Sequence, residues 1–239
     1  MKLLYFLLSV LLTFSSAHSS SKLRDIKWTV LKDHKGITVY EPVNYKHPSG
    51  LIPLKFKAVL DHNISKVLTV LSDDTRKTEW MPNLKESKVV ERKSLENAVV
   101  YYRYDAPWPF NDREFVVYNL AVFTPADMTV NVDIRSVQHE LRPIGKKHVR
   151  GITYDGYSII RPGKPGTTTV EMAFLNDFGG LLPSFIVNLV QQQWPYRFMA
   201  HLREQLKKDN IEINPSFIYN KVQNKVQNKV QNKVQSKVN

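Results

Sequence analysis

The sequence contains no cysteine among its 239 residues, and this absence excludes disulfide bonds, thiolate metal sites and cysteine nucleophiles. Motifs typical of hydrolases, zinc proteases and nucleotide-binding proteins are also missing, including G-x-S-x-G, H-E-x-x-H, the P-loop and G-x-G-x-x-G. The 7 histidines are scattered, with no pair four residues apart, which argues against a metal site. We therefore expect no cofactor, no metal ion and no catalytic residues.

Long apolar runs are missing as well. The most apolar stretch, residues 3–14, has 12 residues, fewer than the roughly 20 that cross a bilayer as a helix. It follows Lys2 and precedes Ser15-Ser16-Ala17, small residues that suit a signal peptidase. We predict a signal peptide over residues 1–17, cleaved after Ala17, and hence a secreted or periplasmic protein. A retained N-terminal anchor is the alternative.

The other end of the chain, residues 220–239, repeats the unit N-K-V-Q and forms a low-complexity basic tail. Its five lysines, together with Lys2, carry half of the formal net charge of +12. Elsewhere the basic residues are interspersed with acids, so we expect no nucleic-acid partner. The tail is interpreted as a solvated product of repeat slippage or, alternatively, as a tether to an anionic membrane.

Between these ends, residues 23–215 contain no linker rich in Ser, Gly or Pro and are expected to form one domain. Two helices are predicted, one that starts after Asp61 or Asn63 and ends near residues 79–82, and one over residues 183–208. Alternating apolar residues and turn signals predict strands within residues 26–42, 54–60, 88–92, 98–105, 114–123, 128–136, 151–160 and 167–175. The predicted fold class is α+β: a curved antiparallel sheet covered by the long last helix, with an apolar cavity between them.

Four segments carry a resemblance to a known family. They are Glu79-Trp80-Met81-Pro82-Asn83, the stretch 100–115 with its P-W-P turn and N-D-R-E-F, residues 176–183 (N-D-F-G-G-L-L-P), and His201-Leu202-Arg203. In this order they resemble the START (steroidogenic acute regulatory protein-related lipid transfer) family, and most closely its phosphatidylcholine-transfer branch. The resemblance implies a helix-grip fold around a lipid cavity. It also implies a monomer that binds or transfers one lipid and contacts membranes transiently.

Seven residues are candidates for ligand binding: Arg103, Tyr101, Glu79, Asn119, Tyr154, Phe185 and Leu189. Arg103 shares a strand face with Tyr101, but the sequence does not determine which face lines the cavity. Arg103 therefore lies either in the cavity, paired with Glu79 or a lipid phosphate, or on the solvated face. By similarity, Asn119 falls near the position of an arginine in sterol-binding relatives. This difference favours a phospholipid or fatty-acyl ligand.

A candidate gate precedes the last helix, where two glycines supply flexible dihedral angles; an ordinary tight turn is the alternative. Its residues are Phe178, Gly179, Gly180, Leu181, Leu182 and Pro183. Trp80, Pro109 and Arg113 are assigned to the structural motif, with Arg113 holding the turn before its strand; ligand contact is the alternative for Arg113. Two other functions remain open: a helix-grip enzyme, such as a cyclase or hydrolase, and a quinone-binding, chaperone-like protein.

Overall fold

The structure is a computed structural model in which residues 20–182 and 184–218 are described, with the backbone alone for residues 184–186 and 189–191. The predicted signal peptide, Pro183 of the gate, the side chains of Phe185 and Leu189, and the basic tail lie outside the described residues. No helix in the described part of the chain is both long and apolar enough to cross a bilayer.

A single strongly curved sheet forms most of the domain. Its strands are β1 (Trp28–His34), β2 (Ile37–Pro42), β3 (Leu54–Leu60), β4 (Leu84–Arg92), β5 (Asn97–Tyr104), β6 (Arg113–Thr124), β7 (Thr129–Ser136), β8 (Val149–Arg150), β9 (Ile152–Pro162) and β10 (Thr168–Asp177). The order across the sheet is β1-β2-β3-β10-β9-β7-β6-β5-β4, and the short β8 pairs with β6. Neighbours are antiparallel except β6 and β8, which are parallel.

Period-2 alternation gives the sheet an inner and an outer face. On β3, Leu54, Phe56, Ala58 and Leu60 are buried in the core, while the residues between them point outward. All predicted strands are present. β4 starts earlier than predicted, at Leu84, because two register shifts interrupt its alternation. The two-residue β8 has no sequence signal of its own.

Two α-helices accompany the sheet, α1 (Ile64–Ser72) and α2 (Ser184–Lys207). Asn63 caps α1 by accepting a hydrogen bond from the Lys66 N–H at 3.0 Å. The prediction that α1 continues to residues 79–82 is wrong. Asp73 accepts from the backbone N–H groups of Thr75 and Arg76, and such local bonds compete with helix continuation.

The chain between α1 and β4 forms only a short 3₁₀ helix, Lys77–Glu79. α2 agrees with its predicted span, includes Pro195, and packs mainly against β2, β3 and α1. Its residues Phe198, Met199, Leu202 and Leu206 are almost completely buried in the main core. A curved antiparallel sheet around one long helix is the helix-grip fold, so the predicted α+β class is confirmed.

Candidate lipid-binding site

The inner face of the sheet divides into two halves. In the filled half, made by β2, β3 and β10, the C-terminal part of α2 packs against the sheet and leaves the core residues buried. In the aromatic half, made by β4 to β7, the register places Val100, Tyr102 and Tyr104 of β5 beside Phe115 and Val117 of β6. Tyr102 and Tyr104 remain partly accessible although they face the interior.

A polar cluster lies at the aromatic half and consists of the buried Asp74 and Lys77, the half-buried Tyr102 and the exposed Arg92. The Lys77 ammonium lies 2.6 Å from Asp74 Oδ1 and donates to the Tyr102 hydroxyl at 3.0 Å. That hydroxyl donates to Asp74 Oδ1 at 3.1 Å, and Arg92 Nη2 lies 3.3 Å from Asp74 Oδ2. Lys77 and Asp74 are at most 8% exposed, so both ionic groups depend on these contacts.

This cluster can present fixed polar groups to a ligand. The contacts among described residues use two of the three N–H donors of the Lys77 ammonium, which leaves a donor for a ligand oxygen. Burial, and then the nearby Asp74 carboxylate, raise the pKa of Tyr102 well above its ordinary value. Tyr102 therefore stays a neutral hydrogen-bonding group at any physiological pH.

Aromatic rings connect the cluster to the gate. Tyr104 donates its hydroxyl to Met81 Sδ at 3.2 Å, and burial raises its pKa as well. The Tyr104 ring meets Phe115 edge-on at 5.9 Å, and Phe115 meets Phe178 edge-on at 5.8 Å. Edge-to-face pairs at this separation are favourable, so these rings form a continuous apolar wall from the polar cluster to the gate segment.

The described part of the gate segment, residues 178–182, leaves the end of β10 in a tight turn. Gly179 and Gly180 have positive φ angles of 66° and 70°, a region that favours glycine. A Cβ at Gly179 would lie 2.6 Å from the carbonyl oxygen of Arg150, so the turn also needs glycine for close approach. Leu181 is fully exposed. The gating role itself stays a prediction.

Arg103 and Tyr101 lie on the outer face, opposite the aromatic half. The Arg103 guanidinium pairs with Asp112 at 2.8 Å and Glu86 at 3.4 Å. The Tyr101 hydroxyl donates to Glu114 at 3.0 Å, and burial followed by that carboxylate raises the pKa of Tyr101 to about 12. Because odd-numbered residues of β5 face outward, placing Arg103 in the cavity, or pairing it with Glu79, is wrong.

Glu79 belongs to a separate network at the C-terminal end of α2. Its carboxylate accepts two hydrogen bonds from Arg76, one from Gln205 at 2.9 Å and one from Lys208 at 3.0 Å. Those contacts, Arg76 first, hold the pKa of Glu79 well below its usual range. Arg76 and Gln205 line a cleft of about 300 Å³ between α1 and the end of α2. The structure therefore corrects the placement of Glu79 in the ligand site.

The other predicted site residues divide between the interior and the surface. Asn119 faces inward on β6, opposite Ile134. Tyr154 is 44% exposed and packs beside His47, so its predicted place in the cavity is wrong. Trp80 is buried against Phe198 at 5.3 Å. Pro109 lies in the exposed β5–β6 loop after a cis peptide bond.

Sequence reasoning missed the polar cluster. Its signal was weak: an aspartate and a lysine three residues apart, in a segment assigned to the continuing helix α1. The alternation of β5 placed Tyr102 and Tyr104 on one face, but the sequence could not say that this face is the inner one.

A curved antiparallel sheet around one long helix defines the class of helix-grip proteins. A START domain match covers residues 21–210. Phosphatidylcholine transfer protein of Mus musculus is 28% identical over 171 residues, which is 67% of this chain and 75% of the mouse protein. StAR-related lipid transfer protein 5 of Bos taurus is 23% identical over 189 residues, covering 76% and 86% of the two chains.

Solved structures agree with the fold. The crystal structure of human STARD10 superposes with a TM-score of 0.70 at 20% identity, covering 76% of this chain and 74% of that one. The START match spans well over half of the sequence, and the chain therefore belongs to the START domain family of lipid-binding and lipid-transfer proteins.

Proposed function

We propose that the protein binds one phospholipid or fatty-acyl lipid between the aromatic half of the sheet and α2, and releases it at another membrane. The observation that carries this proposal is the partial accessibility of Tyr102 and Tyr104 on the inner face of the sheet. Both side chains lie on the inner face of β5 beside the buried Val100, yet both remain partly accessible. Deep but accessible side chains are expected where a ligand fills the space, and a lipid gains about 0.8 kcal/mol for each buried methylene.

Lipid uptake is assigned to the end of the sheet that carries the gate segment. There the loops before β6 and β8 meet, since the Val149 N–H donates to the Asp112 carbonyl at 2.9 Å. The gate segment adjoins them, since a Cβ at Gly179 would lie 2.6 Å from the Arg150 carbonyl oxygen. Large exposed apolar side chains are concentrated in these segments: Trp108, Phe110, Leu141, Ile144 and Leu181. Lys146 and Lys147 lie in the same region of the chain. Apolar tips beside basic residues favour transient contact with an anionic membrane surface.

The experiment is lipid capture by delipidated protein. The protein is incubated with vesicles that contain phospholipids, fatty acids, sterol and quinone, re-isolated, and its extract analysed by mass spectrometry. We expect one phospholipid or fatty acid per chain, and none with heat-unfolded protein. Recovery of sterol or quinone alone would contradict the proposed ligand class. A chemically altered lipid would favour the enzyme alternative.

The proposal also covers the compartment of the protein and the roles of the two ends of the chain. Cleavage after Ala17 would make His18 the N-terminal residue of a secreted or periplasmic protein that acts as a monomer. N-terminal sequencing of the protein from its native cells tests this, and intact Met1 on membrane-bound protein would contradict it. The basic tail is proposed to act outside the fold, so deletion of residues 221–239 should leave lipid capture unchanged.

A further inference from the structure

Arg113 is a buried cation at the mouth of the proposed site. It is the first residue of β6, lies on the inner face opposite Tyr104, and is 5% exposed. Its Nη1 donates to the Asn111 carbonyl, its guanidinium lies 5.5 Å from the centre of the Phe110 ring, and its Nε is buried without an acceptor. One carbonyl bond leaves most of the guanidinium donors for another partner.

No carboxylate neutralises this arginine. All 22 acidic residues of the sequence lie in the described part of the chain, and the ion pairs found there do not include Arg113. The two flanking acids face the opposite way: Asp112 pairs with Arg103, and Glu114 pairs with Arg150. Burial therefore acts unopposed and lowers the pKa of Arg113. An uncompensated buried cation is costly, and such a cost is relieved when an anion binds.

The gate segment adjoins the guanidinium. A Cβ at Gly180 would lie 3.9 Å from Arg113 Nη2, and α2 begins four residues later, at Ser184. The N-terminal end of a helix carries partial positive charge and unpaired N–H donors. The acid at this turn, Asp177, accepts from the Gly179 N–H at 2.8 Å. An arginine without a carboxylate partner thus lies beside Gly180, four residues along the chain from the positive end of α2.

We propose that Arg113 and the N-terminal end of α2 form an oxyanion subsite that receives the phosphate or carboxylate group of the lipid at the mouth of the cavity. This inference rests on the proposed lipid-binding function and adds a position for the polar group. The acyl chains then extend along the wall formed by Phe178, Phe115 and Tyr104. A polar group held at the mouth passes the gate first on release.

The test compares two lipids that differ only in the headgroup, phosphatidylglycerol and the diacylglycerol with the same acyl chains. Arg113→Met should lower capture of phosphatidylglycerol about tenfold or more, the size expected for a lost hydrogen bond to a charged group. Capture of diacylglycerol should not change. Arg103→Met, which removes the same side chain from the outer face one strand away, should leave the ratio of the two lipids unchanged.

A second variant separates binding from scaffolding. Arg113→Gln removes the charge but keeps a donor for the Asn111 carbonyl, and it should show the same loss of phosphatidylglycerol. If both variants lose thermal stability and capture of both lipids together, Arg113 only holds the turn and the subsite is overturned.

Three further outcomes test the subsite, the proposed function and the source of the anion in turn. Capture of both lipids with a ratio that Arg113→Met does not alter would overturn the subsite while leaving lipid binding intact. Capture of neither lipid by the wild type would overturn the proposed function itself. Inorganic phosphate is the last probe: if it raises the melting temperature of the wild type while the lipid ratio is insensitive to Arg113→Met, the anion is free phosphate and the headgroup assignment is wrong.

Discussion

The two halves of the inner face both consist of antiparallel strands but differ in how closely their side chains pack. In the filled half, Phe56, Phe198 and Leu202 are at most 2% exposed, and the Trp194 and Phe198 rings stack at 4.6 Å. In the aromatic half, polar groups such as the Lys77 ammonium and the Arg113 guanidinium lie among rings that remain partly accessible. Close packing stabilises the first half, whereas in the second half Tyr102 and Tyr104 remain partly accessible on the inner face, where we propose that the lipid binds.

On the proposed function, stability and lipid binding therefore depend on different parts of one sheet. Substitutions in the filled half should lower the free energy of unfolding. They should reduce lipid capture only because less of the protein is folded. Substitutions in the aromatic half should act on capture, except where they leave a buried charge alone.

The largest expected effect comes from the filled half. Phe198→Ala removes a ring that contacts Phe56, Trp80 and Trp194, and the loss should be about 3–5 kcal/mol in the free energy of unfolding. Urea denaturation measures it, with Val122→Ala on the exposed side of β6 as the control. A loss below about 1 kcal/mol would show that this half is not closely packed.

The second-largest expected effect concerns a buried charge in the aromatic half that loses its partner. Lys77→Met leaves the Asp74 carboxylate buried with only Tyr102 and the more distant Arg92, and should cost about 3 kcal/mol. The double variant Asp74→Asn/Lys77→Met removes both charges and should recover much of that loss. Equal destabilisation of the single and double variants in urea would contradict an ion pair that must be kept or removed as a unit.

A smaller effect lies outside both halves, in the Glu79 network. Because its contacts depress the folded-state pKa of Glu79, this carboxylate contributes stability above its unfolded value of 4.5 that is lost as the pH falls below it. Solvent screening limits the contribution to about 1 kcal/mol. Glu79→Gln should remove this part of the acid-side decline in melting temperature, with Glu140→Gln as the control. An unchanged acid profile in Glu79→Gln would contradict the network.

A lipid-capture assay at neutral pH tests whether the Glu79 network is independent of the proposed binding site in the aromatic half. Glu79→Gln should leave capture unchanged, because the carboxylate lies at the far end of α2 from the gate segment.

The fold was predictable because its signals are local and repeated. Alternation along β3, β5 and β6 and the apolar positions of α2 each predict an element without knowledge of the others. The site was less predictable because it depends on how elements meet. The polar cluster exists only because α1 ends at Ser72 and a 3₁₀ helix brings Lys77 against β5. The side of β5 that faces inward is fixed by its pairing with β6, which the residues of β5 alone do not encode.

The most direct measurement of the central claim is lipid stoichiometry by native mass spectrometry for two variants on β6. Asn119→Trp adds bulk to the inner face of the aromatic half, where we propose that the lipid binds, whereas Val122→Trp adds the same ring to the outer face, where Val122 is 52% exposed. After incubation with phosphatidylcholine vesicles, wild type and Val122→Trp should carry one lipid per chain. Asn119→Trp should fold with an unchanged melting temperature and carry none. Full lipid occupancy in a folded Asn119→Trp protein would contradict a ligand site in the aromatic half.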